Sequence, residues 1–419
     1  MGMVSSATLN PPHVDFRPML DRCFDLSFFL FVFLTVFLPG GTIYGFPFKY
    51  PLYAVLIPLA LYGFFTRRSA TLSRILILLA APLVLSAWSF LGIWNGFESA
   101  GALRQYLDFI LTLLLCWMAA AYYANDQVRK IRFLRLVVFA EVATSVMKLG
   151  LIVYADVRGI SILEMVKLLD VIFSANLMTM DISESLARIQ FISDSLIAIS
   201  VYAILRHKYA LKLGNWQALI FINLLVASCL FSFSRYFWGA TTFAFLLGLL
   251  LAKREKFKLY LVLALVLSII ALLPTLDKFY ELRFSSTVEN ASDSQRTGQV
   301  QALEDFFWQS PMLGHGLGSY TRADIRGEGD SGKYAYEVQT LALFGQMGIV
   351  GMGILGIFIL YYYRGLWTTR SLSLPDRLAL GAFIVVWLLA GFTNPLIVSP
   401  IAGICFASLD ALSGIPSKA

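Results

Sequence analysis

The chain has 419 residues, 58% of them hydrophobic and 14% charged, with a mean hydropathy of +0.73 and a formal net charge of +7. Water-soluble domains carry about 25% charged residues, so composition argues against a soluble enzyme and for a polytopic membrane protein. The basic excess sits in short connections between apolar runs, a positive-inside pattern and not a nucleic-acid footprint.

The first twenty residues lack the apolar stretch and small-residue cleavage site of a secretory signal. The first span, near Phe24, is therefore expected to remain in the mature protein. Apolar runs of ~20 residues, long enough for a bilayer core of ~30 Å, then recur to the end. They predict an all-α polytopic integral membrane protein with about twelve spans, at 24–39, 50–65, 73–94, 103–123, 133–154, 189–205, 216–234, 236–252, 257–273, 338–362, 377–392 and 396–414. Arg67 and Arg68, the Arg129–Arg135 group, Arg206, Lys208 and Lys212, the Lys253–Lys258 group, and Arg364, Arg370 and Arg377 fall in alternate connections. The positive-inside rule makes those connections and both termini cytoplasmic. Cys23, Cys116, Cys229 and Cys405 lie in apolar stretches without metal-ligand spacing and read as small buried hydrophobes.

Two segments then face outward and exceed a simple connection. Residues 155–188 contain, over 160–172, apolar residues at helical spacing, which predicts an amphipathic helix lying along the interface. Residues 274–337 hold a loop of about sixty residues, Asp277 to Tyr336, rich in arginine, acids and glycine. Loops of that length are uncommon unless they work, so the chemistry is expected there. A third outward turn, Phe231–Tyr236, is tight. No internal repeat or linker divides the chain, and one domain over 1–419 is expected.

Arg188, Arg235 and Arg296 all map to the outward side, against the usual charge bias. Snorkelling to headgroups explains such arginines one at a time. Taken together they suggest a cationic pocket, since guanidiniums pair bidentately with phosphate oxygens and stay charged. Converging arginines can neutralise a departing diphosphate, a task metals perform elsewhere. No metal-ligand cluster is legible, because His13, His207 and His315 are scattered. The run Gly314-His315-Gly316-Leu317-Gly318 follows no strand and precedes no Lys-Ser/Thr, which excludes a nucleotide P-loop. Its glycines allow a tight turn and a close approach to a helix or a ligand. His315, inside the turn, is expected to be structural or hydrogen-bonding.

In order and sidedness these elements resemble the bacterial O-antigen polymerase and O-antigen ligase superfamily. Arg188 opens a span and Ser232-x-Ser234-Arg235 closes one. Arg296 precedes a short helix with Trp308, and Ser310-Pro311-x-Leu313-Gly314-x-Gly316-x-Gly318 leads into Glu337-Val338-Gln339 and Gln346-x-Gly348-Ile349-Val350-Gly351. The resemblance runs from Arg188 through the tenth span. It implies a GT-C-type glycosyltransferase of the inner membrane with a periplasmic site, inverting, without metal or other cofactor. Such an enzyme passes a glycan from undecaprenyl diphosphate to a sugar hydroxyl of an acceptor glycan or of lipid A-core. Membrane lipid and a polysaccharide assembly complex are the implied partners, and nucleic acid is not. Arg188, Arg235 and Arg296 would hold the diphosphate or the donor. Gly314, His315, Gly316, Gly318, Tyr336 and Gln339 would support the loop or bind the acceptor. Tyr320, Tyr334, Tyr336 and Trp308 would stack on sugar faces or form an interfacial aromatic belt.

One position departs from the pattern. Ligases of the group carry a histidine, followed by Asn, Ser or Gln, upstream of Gly-x-x-Gly. Here Gly348-x-x-Gly351 fixes the register and the position is Glu337, followed by Val338. Glu337 can be a general base, with Asp330 as a neighbouring substitute. It can also orient the acceptor, or pair with an arginine for structural reasons. The missing histidine favours a polymerase over a ligase. The rivals are a transporter or flippase, which would show repeats and midplane charges, and a structural assembly partner, which would tolerate loss of every outward arginine.

Overall fold

The computed structural model describes residues 17–38, 43–44, 46, 49–66, 72–123, 126–173, 181–183, 186–187, 189–252, 258, 261–262, 286–323, 332–334, 336–368 and 372–415. Arg67, Arg68, Arg188, Asp330, Arg370 and nearly all of the expected span 257–273 lie outside them.

A segment in lipid must bond every backbone N–H and C=O within itself, and a helix does so. The chain accordingly forms α1 (Arg17–Phe37), α2 (Lys49–Thr66), α3 (Leu72–Trp94), α4 (Ser99–Tyr123), α5 (Gln127–Arg158), α6 (Ile162–Phe173), α7 (Ile197–His207), α8 (Asn215–Leu230) and α9 (Arg235–Leu251). They are followed by α10 (Ser286–Gln309), α11 (Gln339–Tyr362), α12 (Arg364–Thr368), α13 (Leu374–Leu389) and α14 (Pro400–Ser413). Among the described residues the only sheet is one short antiparallel pair, β1 (Asp181–Ser183) with β2 (Leu186–Ala187). Among the described residues four helices are long and apolar enough to cross a bilayer, and shorter apolar helices accompany them. The protein is an all-α polytopic membrane protein.

Aromatic rings knit the bundle. Phe28 of α1 stacks on Tyr122 of α4 and Phe133 of α5, with centroids 5.2 and 5.9 Å apart, and Tyr202 of α7 meets Phe383 of α13 at 5.1 Å. The two ends of the bundle differ in chemistry. At one end, Arg206 grips Asp376 bidentately at 2.9 and 3.1 Å, and Arg129 donates to the Tyr122 carbonyl. At the other end lie the 95–98, 189–191, 231–234 and 393–399 connections, with residues 310–323, 332–334 and 336–338. They are joined by Asn95 to the His315 carbonyl (3.0 Å), Lys333 to Glu98 (2.6 Å) and the Ile189 amide to the Phe231 carbonyl (3.3 Å).

Several expectations are refined. The amphipathic stretch is a helix, α6, whose Ile162, Met165, Val166 and Leu169 pack with Ala155, Ile189 and Phe191. The span expected to begin at 189 instead opens with a 3-10 turn, Ile192–Leu196, because the Asp194 carboxylate takes the Phe191 amide at 3.1 Å. Arg296 does not precede a short helix but lies inside α10. Arg296, Gln299, Leu303 and Phe306 recur at helical spacing, and the last three are buried. Cys116, Cys229 and Cys405 are buried, whereas Cys23 is exposed on α1, on the helix that also exposes Met19, Leu26 and Leu30.

Candidate functional site

The site is built on one face of α10. Arg296 projects from it toward the residues just before α11, and its Nε donates to Glu337 Oε2 at 2.7 Å. Both side chains are 27% exposed, so the pair is sheltered yet reachable. One turn further along α10, Gln299 is buried, and its Oε1 accepts from the backbone amides of Glu337 (2.8 Å) and Val338 (3.3 Å). Glu337 is thus held at two points by one helix, side chain to Arg296 and backbone to Gln299. The pairing alternative raised for Glu337 is what the free protein shows.

Tyr336 is packed into the core beside the site. It is 5% exposed, packed with Leu303, Val338 and Ala342, and its hydroxyl takes the Thr321 amide at 2.9 Å. Tyr320 and Tyr334 meet edge to face at 5.8 Å, with Lys333 over the Tyr320 ring. Trp308 is 71% exposed, near the helix end.

The glycine run approaches helices, one of the two roles open to it. The Gly316 amide donates to the Gln346 carbonyl (2.8 Å), His315 to that of Gly345 (3.0 Å) and Leu317 to that of Trp88 (2.9 Å). Gly314, Gly316 and Gly318 all have positive φ. At Gly316 a methyl group would overlap the backbone of Gly92 in α3, so both the conformation and the space demand glycine. The carbonyls of 345–347 are available because α11 is broken at Gly348 (φ 62°, ψ −176°). The Trp88 indole fills the break, donating to the Leu313 and Met347 carbonyls at 2.8 and 3.0 Å. The His315 ring stacks on Phe306 of α10 at 4.1 Å, and its Nε2 lies 2.8 Å from the Phe306 carbonyl. Together these contacts bolt α10 to the first half of α11, and so Arg296 to Glu337.

Arg235 is the first residue of α9, after a turn in which buried Phe233 takes positive φ. That turn binds Ile189, the neighbour of Arg188, through the Phe231 carbonyl. Arg188 itself falls outside the described residues. Gln339 in the first turn of α11 accepts from the Ile397 amide at 3.0 Å. A further contact, Gln190 Nε2 to Asn394 Oδ1 (3.4 Å), brings the 189–191 segment to the same connection between α13 and α14. Gln299, Gln190 and Asn394 therefore belong to the site region, though isolated amide residues in a sequence carry no distinctive signal.

The arrangement offers a guanidinium that can exchange a carboxylate for a phosphate oxygen, and a carboxylate that the exchange sets free. Among the described residues, three or more His, Cys, Asp or Glu nowhere cluster as metal ligands. Residues 219–356 match the family described as O-antigen ligase. The match takes in Arg235, Arg296, the glycine run, Glu337 and Gln339 and leaves Arg188 outside. No curated protein and no solved structure shows significant similarity to the chain.

Proposed function

We propose that the chain, whose residues 219–356 match the O-antigen ligase family, acts as a member of the O-antigen ligase and polymerase superfamily and transfers a glycan from undecaprenyl diphosphate to a sugar hydroxyl at the periplasmic face of the inner membrane. The observation that carries this reading is the Arg296–Glu337 pair on a rigid α10–α11 frame. When the donor enters, its diphosphate displaces Glu337 from Arg296, with Arg235 and Arg188 as further cationic contacts. Glu337, no longer engaged, accepts the proton of the attacking hydroxyl. The acceptor oxygen bonds to the anomeric carbon as the bond from that carbon to the diphosphate breaks. The electron pair leaves on the diphosphate, held by the guanidiniums, and the configuration inverts. No metal or other cofactor takes part in this scheme.

The absence of the family histidine favours a polymerase, which lengthens the glycan on its carrier. The printed family description favours a ligase, with lipid A-core as acceptor. Deleting the gene and resolving surface glycans on a gel separates them. Loss of a polymerase leaves single repeats on lipid A-core, and loss of a ligase leaves none while carrier-linked polymer accumulates. Arg296→Ala, inserted and folded, is expected to abolish transfer from a lipid-linked donor. Full activity in that variant would remove the diphosphate pocket.

A further inference from the structure

At the start of α11, three residues beyond Glu337, neutral polar side chains from three segments are withdrawn from water. Gln190, Thr340 and Asn394 are 4%, 8% and 4% exposed. Thr340 lies in the first turn of α11, next to Gln339, whose side chain holds Ile397 of the 390–399 connection. A methyl on Gly391 would overlap the Thr340 hydroxyl, so that connection runs directly over it. Asn394 follows in the same connection, turned by its bond to Thr393 Oγ1 at 3.1 Å, and reaches Gln190 at 3.4 Å.

The hydrogen bonding among these groups is incomplete. Among the described residues Gln190 Oε1 and the Thr340 hydroxyl are buried and have no partner, and the Gln190–Asn394 bond is long. A buried polar group without a partner costs about 1–3 kcal/mol, a cost that a ligand's own donor or acceptor would offset. The set is uncharged and offers both donors and acceptors. Phosphate calls for cations, which this set lacks and the nearby arginines supply. Sugar hydroxyls, themselves donor and acceptor, suit two carboxamides and a hydroxyl.

We propose that Gln190, Thr340 and Asn394 form a subsite for the ring hydroxyls of the glycan being joined, alongside Arg296 and Glu337. The inference rests on the glycan-transfer reading above. A sugar from the donor and one from the acceptor present the same hydroxyl chemistry, and kinetics tells them apart.

The test uses the full-length protein in lipid nanodiscs with lipid-linked donor, comparing wild type, Thr340→Val, Thr340→Ser and Asn394→Leu. Thr340→Val keeps the shape and loses the hydroxyl. It should raise the KM of one substrate by about two- to tenfold, the value of one hydrogen bond, and the substrate affected identifies the sugar bound. Because the free protein leaves that hydroxyl without a partner, the same variant should melt at an equal or higher temperature. Thr340→Ser should keep the wild-type KM, and Asn394→Leu should raise the KM of the same substrate. Unchanged KM for both substrates in Thr340→Val and Asn394→Leu, with Arg296→Ala still inactive, means that water alone fills the place and overturns the subsite. A wild-type protein that transfers no glycan overturns the functional reading itself.

Discussion

Glu337 sits where it can serve either as a structural counter-ion or as a proton acceptor, and a single isosteric change separates the two. Glu337→Gln keeps an oxygen for Arg296 Nε and leaves the Gln299 contacts to the backbone in place. If the carboxylate takes the hydroxyl proton, turnover should fall on the order of 10²- to 10⁴-fold with the donor KM nearly unchanged. Initial rates at varied donor concentration measure both, and undiminished turnover would discard the proton-acceptor role. Arg296 and Glu337 were legible separately, one as an outward cation and one as a departure from a family pattern. Their pairing was not legible, since forty-one positions separate them and only the fold supplies the contact. Gln299 was invisible for a different reason. A glutamine in a polar-looking stretch reads as solvated, yet here it is 2% exposed and ties two amides. Tyr336 shows the converse, an aromatic near the site that the core had already claimed.

Between residue and molecule, the glycine run and the break in α11 work as one joint. Gly348 bends the helix with a left-handed φ, and the freed carbonyls take the amides of His315 and Gly316 and the Trp88 indole. Gly316→Ala must hold a non-glycine residue at φ 92° against the Gly92 backbone. The backbone conformation alone should cost about 1–3 kcal/mol, and the overlap adds to it. A lowered melting temperature in detergent, with loss of transfer, is expected. A variant as stable as wild type would show that the joint yields easily. The glycines themselves were conspicuous in the sequence, but α10 was not. Its first half carries few apolar residues, so only a short helix with Trp308 is expected, from the resemblance, whereas the helix runs from Ser286 and buries Gln299. In α5, Glu141 and Lys148 lie buried inside an apolar span, where charge is costly. Lys148 pairs with Asp194 at 2.9 Å, both fully buried, and so anchors the 3-10 turn that follows Arg188 in the chain.

At the scale of the whole molecule, hydropathy was the strongest guide, because lipid imposes helix length and internal bonding on every span. Charge bias proposed which end faces the cytosol, and the structure gathers the candidate site at the end away from Arg129, Arg206 and Arg377. Membrane orientation can therefore be tested with two exposed positions. Glu304 is exposed on α10 at the site end, and Tyr209, 59% exposed, follows α7 at the opposite end. Cys116, Cys229 and Cys405 are buried and Cys23 is exposed, so Cys23→Ser provides a quiet background. In intact spheroplasts a membrane-impermeant maleimide should label Glu304→Cys, whereas Tyr209→Cys should react only after lysis. The reverse pattern would set Arg296 and Glu337 against the cytosol, out of reach of a carrier-linked glycan displayed on the periplasmic leaflet. The diphosphate reading would then fail however well the two side chains are paired, because their chemistry is useful only on the side where the donor waits.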